Sequence, residues 1–137
     1  MRNILFPLFV LFILAFPVTG HAKDVVKSKE PKLISVLYYA DWCGSCKILD
    51  PQIEKARGKM DLDNMPIVFV RMDLTNKTTA AQSGMLASAL GLGALYNDNA
   101  GKTGYMALVD ARTKEVVAKI DKSMNADDIS SLITEKL

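Results

Sequence analysis

From residue 33 onward the chain alternates between unbroken apolar runs and stretches in which apolar residues recur every three or four positions. Residues 33–40 (LISVLYYA) are rich in β-branched and aromatic residues and almost wholly apolar. A run of that length with no polar face predicts a central strand covered on both sides. Asp41 and Trp42 turn the chain. From Cys43 to about Lys59 the pattern becomes helical, with Ile48, Ile53 and Ala56 apolar and Lys47, Asp50, Glu54 and Arg57 polar. Pro51 falls inside this helix, where it removes one backbone donor and favours a kink.

Pro66 opens a second apolar strand over residues 67–72 (IVFVRM), followed by turn and cap residues 73–79. A helix from Thr78 or Thr79 to about Leu90 comes next. Gly91, Gly93 and the run Asn97-Asp98-Asn99-Ala100-Gly101 predict a long loop over residues 91–103. Residues 105–109 and 115–120 read as two strands joined by the polar turn 110–114. Asn125 caps a closing helix, with Asp127 and Asp128 at its positive end and Ile129, Leu132 and Ile133 turned inward. The order β-α-β-α-β-β-α predicts an α/β fold, a three-layer sandwich, over residues 32–137. There is no internal repeat and no low-complexity tract.

The first 22 residues belong to a different regime. Arg2 and the terminal amine precede an apolar run of about 15 residues, 4–18, with Pro7 and Pro17 near its ends. Gly20-His21-Ala22 then supplies small residues at the two positions a signal peptidase reads. The segment reads as a secretory signal cleaved after Ala22, because a spanning helix needs about 20 apolar residues. A retained N-terminal membrane anchor is the alternative. Residues 23–31 form a polar leader, whose Lys23, Lys27 and Lys29, together with Lys32, read as a solvated stretch.

Composition narrows the chemistry. The 137 residues are 50% hydrophobic, but four of the five Phe lie in the first segment, and the remainder has the make-up of a globular domain. Lys and Arg number 17 against 15 Asp and Glu, a net charge of +2 that gives no basic stripe for nucleic acid. The single histidine, His21, leaves with the signal. Serine and cysteine nucleophiles paired with histidine are thereby excluded, and so is a Cys/His zinc site within one chain. No metal or other cofactor is expected. The seven Met are scattered without ligand-like spacing.

Two cysteines remain, Cys43 and Cys46, in Trp42-Cys43-Gly44-Ser45-Cys46-Lys47, where a strand ends and a helix begins. Unpaired N–H groups at a helix start stabilise a thiolate at Cys43, and Cys46, one turn on, can reach back to close a disulfide. Cys43 can therefore attack a disulfide and Cys46 resolve the intermediate. The residues alone also allow a static structural disulfide, a metal half-site completed by another chain, and two buried free thiols. Tyr38 and Tyr39 read as strand packing, and Asp41 as a solvated turn residue.

The run Tyr39-Ala40-Asp41-Trp42-Cys43-Gly44-Ser45-Cys46-Lys47, with Pro51 following in the helix, resembles the thioredoxin superfamily. Ala40-Asp41-Trp42-Cys43 and Met72-Asp73-Leu74-Thr75 look most like the periplasmic thioredoxin-like domains of bacterial disulfide reductases. The resemblance implies a thioredoxin-like α/β/α sandwich around a mixed sheet of four to five strands. It implies a periplasmic thiol–disulfide oxidoreductase, with Cys43 as attacking and Cys46 as resolving catalytic cysteine. Trp42, Gly44, Ser45, Thr103 and Gly104 would contact substrate. The implied partners are proteins bearing disulfides or thiols and a membrane-bound thiol reductase as electron donor, the protein itself being a monomer. Three departures stand out. Ser45 replaces the Pro usual between the cysteines, Leu37 falls where thioredoxins bury a carboxylate, and Gly104 falls where the family places a cis-Pro. Those departures make a second class of function thinkable, a redox-inactive binding or assembly module with a static Cys43–Cys46 disulfide. A third is a dimer sharing a metal or iron–sulfur centre through four cysteines.

Overall fold

The computed structural model describes residues 30–137. The signal segment and residues 23–29 of the leader lie outside the described residues. Four strands, β1 (Leu33–Tyr39), β2 (Ile67–Asp73), β3 (Tyr105–Asp110) and β4 (Val116–Asp121), form one sheet in the order β2-β1-β3-β4. β1 and β2 are parallel, whereas β1–β3 and β3–β4 are antiparallel, so the sheet is mixed. Helices α1 (Gly44–Arg57) and α4 (Ala126–Lys136) cover one face, and α2 (Lys77–Ala89) the other, with α3 (Gly93–Asp98) packed on α2.

The central strand shows why its sequence carries no polar face. Leu33 and Leu37 pack with Leu49, Ile53, Ile129 and Ile133 of α1 and α4. Ile34, Val36 and Tyr38 face the other way, onto Met72, Ala87, Leu92 and Val109. Alternate side chains of one strand thus feed two separate cores. Only the edge strands show polar exposure, with Val68, Val116 and Val117 also open to solvent.

Three expectations are corrected. Ile48 is 53% exposed, and Leu49 is the buried residue at that turn. The buried stripe of α1 runs Cys46, Leu49, Ile53, Ala56, so the inward face is set one residue away from Ile48. The stretch 91–103 is not all loop, because residues 93–98 form α3. Tertiary contacts hold this short helix: the Tyr96 hydroxyl donates to Ala80 O at 2.6 Å, and that of Tyr38 to Leu95 O at 3.4 Å. Helix α2 begins at Lys77, a residue or two earlier than expected. The Asn76 side chain accepts from the N–H groups of Thr78 and Thr79, while the Thr79 hydroxyl accepts from that of Asn76. This reciprocal cap fixes the start of the helix.

Candidate active site

The site grows out of the end of β1. The Cys43 N–H donates to Ala40 O at 3.0 Å, closing the turn through Asp41 and Trp42. Cys43 then serves as the cap of α1, and its Sγ accepts from the Cys46 N–H at 3.1 Å. That N–H is one of the unpaired donors every helix start carries, and together with the helix dipole it favours negative charge on Cys43 Sγ. Cys43 and Cys46 are joined as a disulfide across a Cα–Cα separation of 5.3 Å. Cys43 retains 6% exposure and Cys46 none. Cys46 Sγ lies 3.8 Å from the Tyr38 carbonyl, an acceptor for the thiol once the pair is reduced.

The two thiols therefore differ in their surroundings. Cys43 meets a hydrogen-bond donor and keeps 6% exposure, whereas Cys46 meets a carbonyl and keeps none; both pack with Ala40 and Tyr39. Leu37 is buried in the apolar cluster beneath α1 and α4. Burial pushes the Tyr105 hydroxyl up to about 12 and raises that of Tyr38, whose ring stacks on Tyr105 with centroids 5.0 Å apart. Both stay protonated at neutral pH. Tyr38 acts as packing, in line with the sequence reading. Tyr39 is half-buried, holds Arg71 over its ring and donates to Asp41 at 2.9 Å.

Of the residues singled out from sequence, the structure brings Cys43, Ser45, Cys46 and Gly104 together. Gly104 lies against Ser45 and the Cys43 sulfur, although 59 positions of chain separate it from Ser45. Thr103 is half-buried beside it, and Gly44 is exposed. Trp42 stands 62% exposed on the rim.

Sequence reasoning missed what holds Trp42. Its indole N–H donates to Thr75 O at 3.2 Å, and the Asp41 N–H donates to Thr75 Oγ1 at 3.0 Å. Thr75 is itself fixed by Asp73, whose carboxylate accepts from the Thr75 N–H at 2.8 Å. An Asp two residues before a Thr is a turn signal, but nothing in the chain says which distant loop that turn meets. The Thr75 hydrogen bonds hold the Asp73 carboxyl below its ordinary value of 3.8. A lowered carboxyl adds stability above its unfolded value, and that stability is lost as pH falls through the folded value. Below pH 3.8, Asp73 protonation should loosen Thr75 and shift the emission of Trp42, the only tryptophan. Fluorescence titration of Asp73→Asn should lack that acid transition; an unchanged transition would detach Asp73 from the Trp42 rim.

Fold and site together define a thioredoxin-fold domain with one cysteine pair at disulfide distance. The Thioredoxin family profile matches residues 18–122, and the chain belongs to that family. Mouse protein disulfide-isomerase A4 is 39% identical over 59 residues, which are 43% of this chain and 9% of the mouse protein. The chain thus spans about a tenth of the length of the first curated relatives it matches. Among solved structures, thioredoxin-2 of a malaria parasite superposes with a TM-score of 0.52 at 17% identity, over 78% of this chain and 85% of that one. StoA of Bacillus subtilis gives 0.50 at 14% identity, over 77% and 84%. The last two are likenesses of fold. No helix among the described residues is long and apolar enough to cross a membrane.

Proposed function

We propose that this protein is an exported thiol–disulfide oxidoreductase that reduces or exchanges disulfides in periplasmic proteins. The observation that carries this reading is the asymmetry of the pair: Cys43 keeps a small exposed area and accepts a helix N–H, while Cys46 keeps none and lies one turn behind it. The Cys43 thiolate attacks one sulfur of a substrate disulfide, forming a mixed disulfide and expelling the other sulfur as a thiolate that takes up a proton. The Cys46 thiolate then attacks Cys43 Sγ, releasing the second substrate thiolate and closing Cys43–Cys46. Two electrons have passed to the substrate. A dithiol on a membrane-bound reductase restores the pair by the same exchange in reverse. A substrate chain docks around Cys43 at Trp42, Gly44, Ser45, Thr103 and Gly104, of which Gly104 is buried against Ser45 until a partner arrives. Export is supported by the apolar run 4–18 and the small residues that end it.

The test is the equilibrium of the pair in graded glutathione buffers, followed by thiol counting at Cys43 and Cys46. A reversible couple is expected, below about −220 mV for a reductant fed by a dedicated donor. A value above about −180 mV would reassign the protein as an oxidant or isomerase. A pair that never opens would replace the enzyme with a binding module held by a static disulfide.

A further inference from the structure

Ile48 is the only large hydrophobic residue of α1 left exposed, and it belongs to none of the packed clusters. The fold gains nothing from it. Its place on the helix says what else it can meet. Each Cα–Cβ bond of an α-helix tilts towards the N-terminus, so a residue at i+4 stands over residue i. Ile48 therefore leans over Gly44, the residue that follows Cys43. A Cβ added to Gly44 would find nothing within 4 Å, so the ground between Ile48 and Cys43 is open. Immediately before Cys43, Trp42 is exposed and pinned by its indole N–H to Thr75 O. Two exposed apolar side chains thus flank the attacking cysteine. The nearest charged residues in the chain, Asp41 and Lys47, are both exposed and opposite in sign, so charge gives no net preference there.

Resting on the redox reading above, we propose that Ile48 is a specificity-determining residue, one that favours substrate disulfides whose cysteine is flanked by apolar side chains. The physical reason is reach. The attacked sulfur must come onto Cys43 Sγ, and neighbouring Cα atoms of a chain are about 3.8 Å apart. The substrate residue beside the attacked cysteine is thereby carried over the first turn of α1, where Gly44 leaves room and Ile48 supplies apolar surface. Contact there removes apolar area of both partners from water as the sulfurs approach, so the preference falls on the rate of attack. A polar flank gains nothing from Ile48. The exchange itself is unaltered: Cys43 Sγ bonds to one substrate sulfur, and the other leaves as a thiolate that takes up a proton.

The experiment compares two homodimeric peptide disulfides, identical except that the cysteine is flanked by leucines in one and by serines in the other. The reduced protein is mixed with each, the reaction is quenched, and products are counted by mass spectrometry. Each rate is divided by that of dithiothreitol on the same peptide, which removes the peptides' own reactivity. The unmodified protein should favour the leucine peptide by about fivefold, below the discrimination of an enclosed pocket because Ile48 lies open. Ile48→Ser should erase the preference and Ile48→Leu should keep it. Lys55→Ser, two turns further along α1, should keep it as well. A preference that survives in Ile48→Ser, or that vanishes in Lys55→Ser too, overturns the proposal. So does a loss of stability to urea in Ile48→Ser, which would make Ile48 a packing residue. If the unmodified protein attacks both peptides equally, the role of Ile48 falls while the redox reading stands. A reduced protein that attacks neither peptide removes both.

Discussion

Cys43→Ser should abolish reduction of a protein disulfide, such as those of insulin with dithiothreitol as donor, by about 10³-fold or more, the scale on which enzymes lose activity with their nucleophile. The loss follows from access. Cys46 is fully buried, so with Cys43 gone no thiol of this chain meets a substrate. Cys46→Ser should behave differently, because Cys43 keeps the helix-start N–H and dipole that favour its thiolate. It should attack once and stop, accumulating a mixed disulfide that non-reducing mass spectrometry resolves and that thiol reductant releases. Equal residual activity in the two variants, with no trapped species, would remove the division of labour between the cysteines. Far-ultraviolet circular dichroism should be unchanged in both, since neither side chain occupies either main core.

Leu49→Ala should cost about 2–5 kcal/mol, the range measured when a fully buried leucine is cut to alanine and its cavity only partly collapses. Against a total of about 5–15 kcal/mol for an ordinary domain, that is a large fraction. Leu49 has no exposed surface and lies in the cluster that joins α1 to Ile129 and Ile133 of α4 and to Leu33 and Leu37 of the sheet. The neighbouring Ile48→Ala should stay within about 0.5 kcal/mol, as substitutions at open surface positions do. Urea unfolding of both variants, each held oxidised, measures the contrast. A costly Ile48→Ala beside a mild Leu49→Ala would mean that α1 presents a different face to the sheet. The same helix carries the cysteine pair at its start, so loss of packing at Leu49 should also loosen the pair's setting.

The contrast between Ile48 and Leu49 shows how far sequence patterning reaches. The helix itself was legible, because a strand-length apolar run gives way to three- and four-residue spacing right at the CxxC. Its inward face was misread by one position, since Ile48, Ile53 and Ala56 fit helical spacing loosely. The true stripe starts from Cys46, which counts as apolar only once it is known to be buried. The strands were legible to within one residue at their ends, because each is either wholly apolar or bounded by turn residues. Helix α3 was not. Six residues opening on a glycine have little intrinsic tendency to form a helix, and this one is held by hydroxyls from Tyr38 and Tyr96.

By itself the sequence determined the family-type motif, the α/β order, the two buried faces of β1 and the placing of Cys43 and Cys46 within reach of each other. All of these are local: they depend on residue spacing along a strand or within one turn of a helix. Tertiary structure alone decided that Thr75 holds Trp42 and that Gly104 lies against Ser45 and Cys43. The physical reason is that these contacts join segments far apart in the chain, whose approach is fixed by sheet order and by the α2–α3 crossover. The fit between a bare Cα and a serine 59 residues away leaves no periodic trace in either segment.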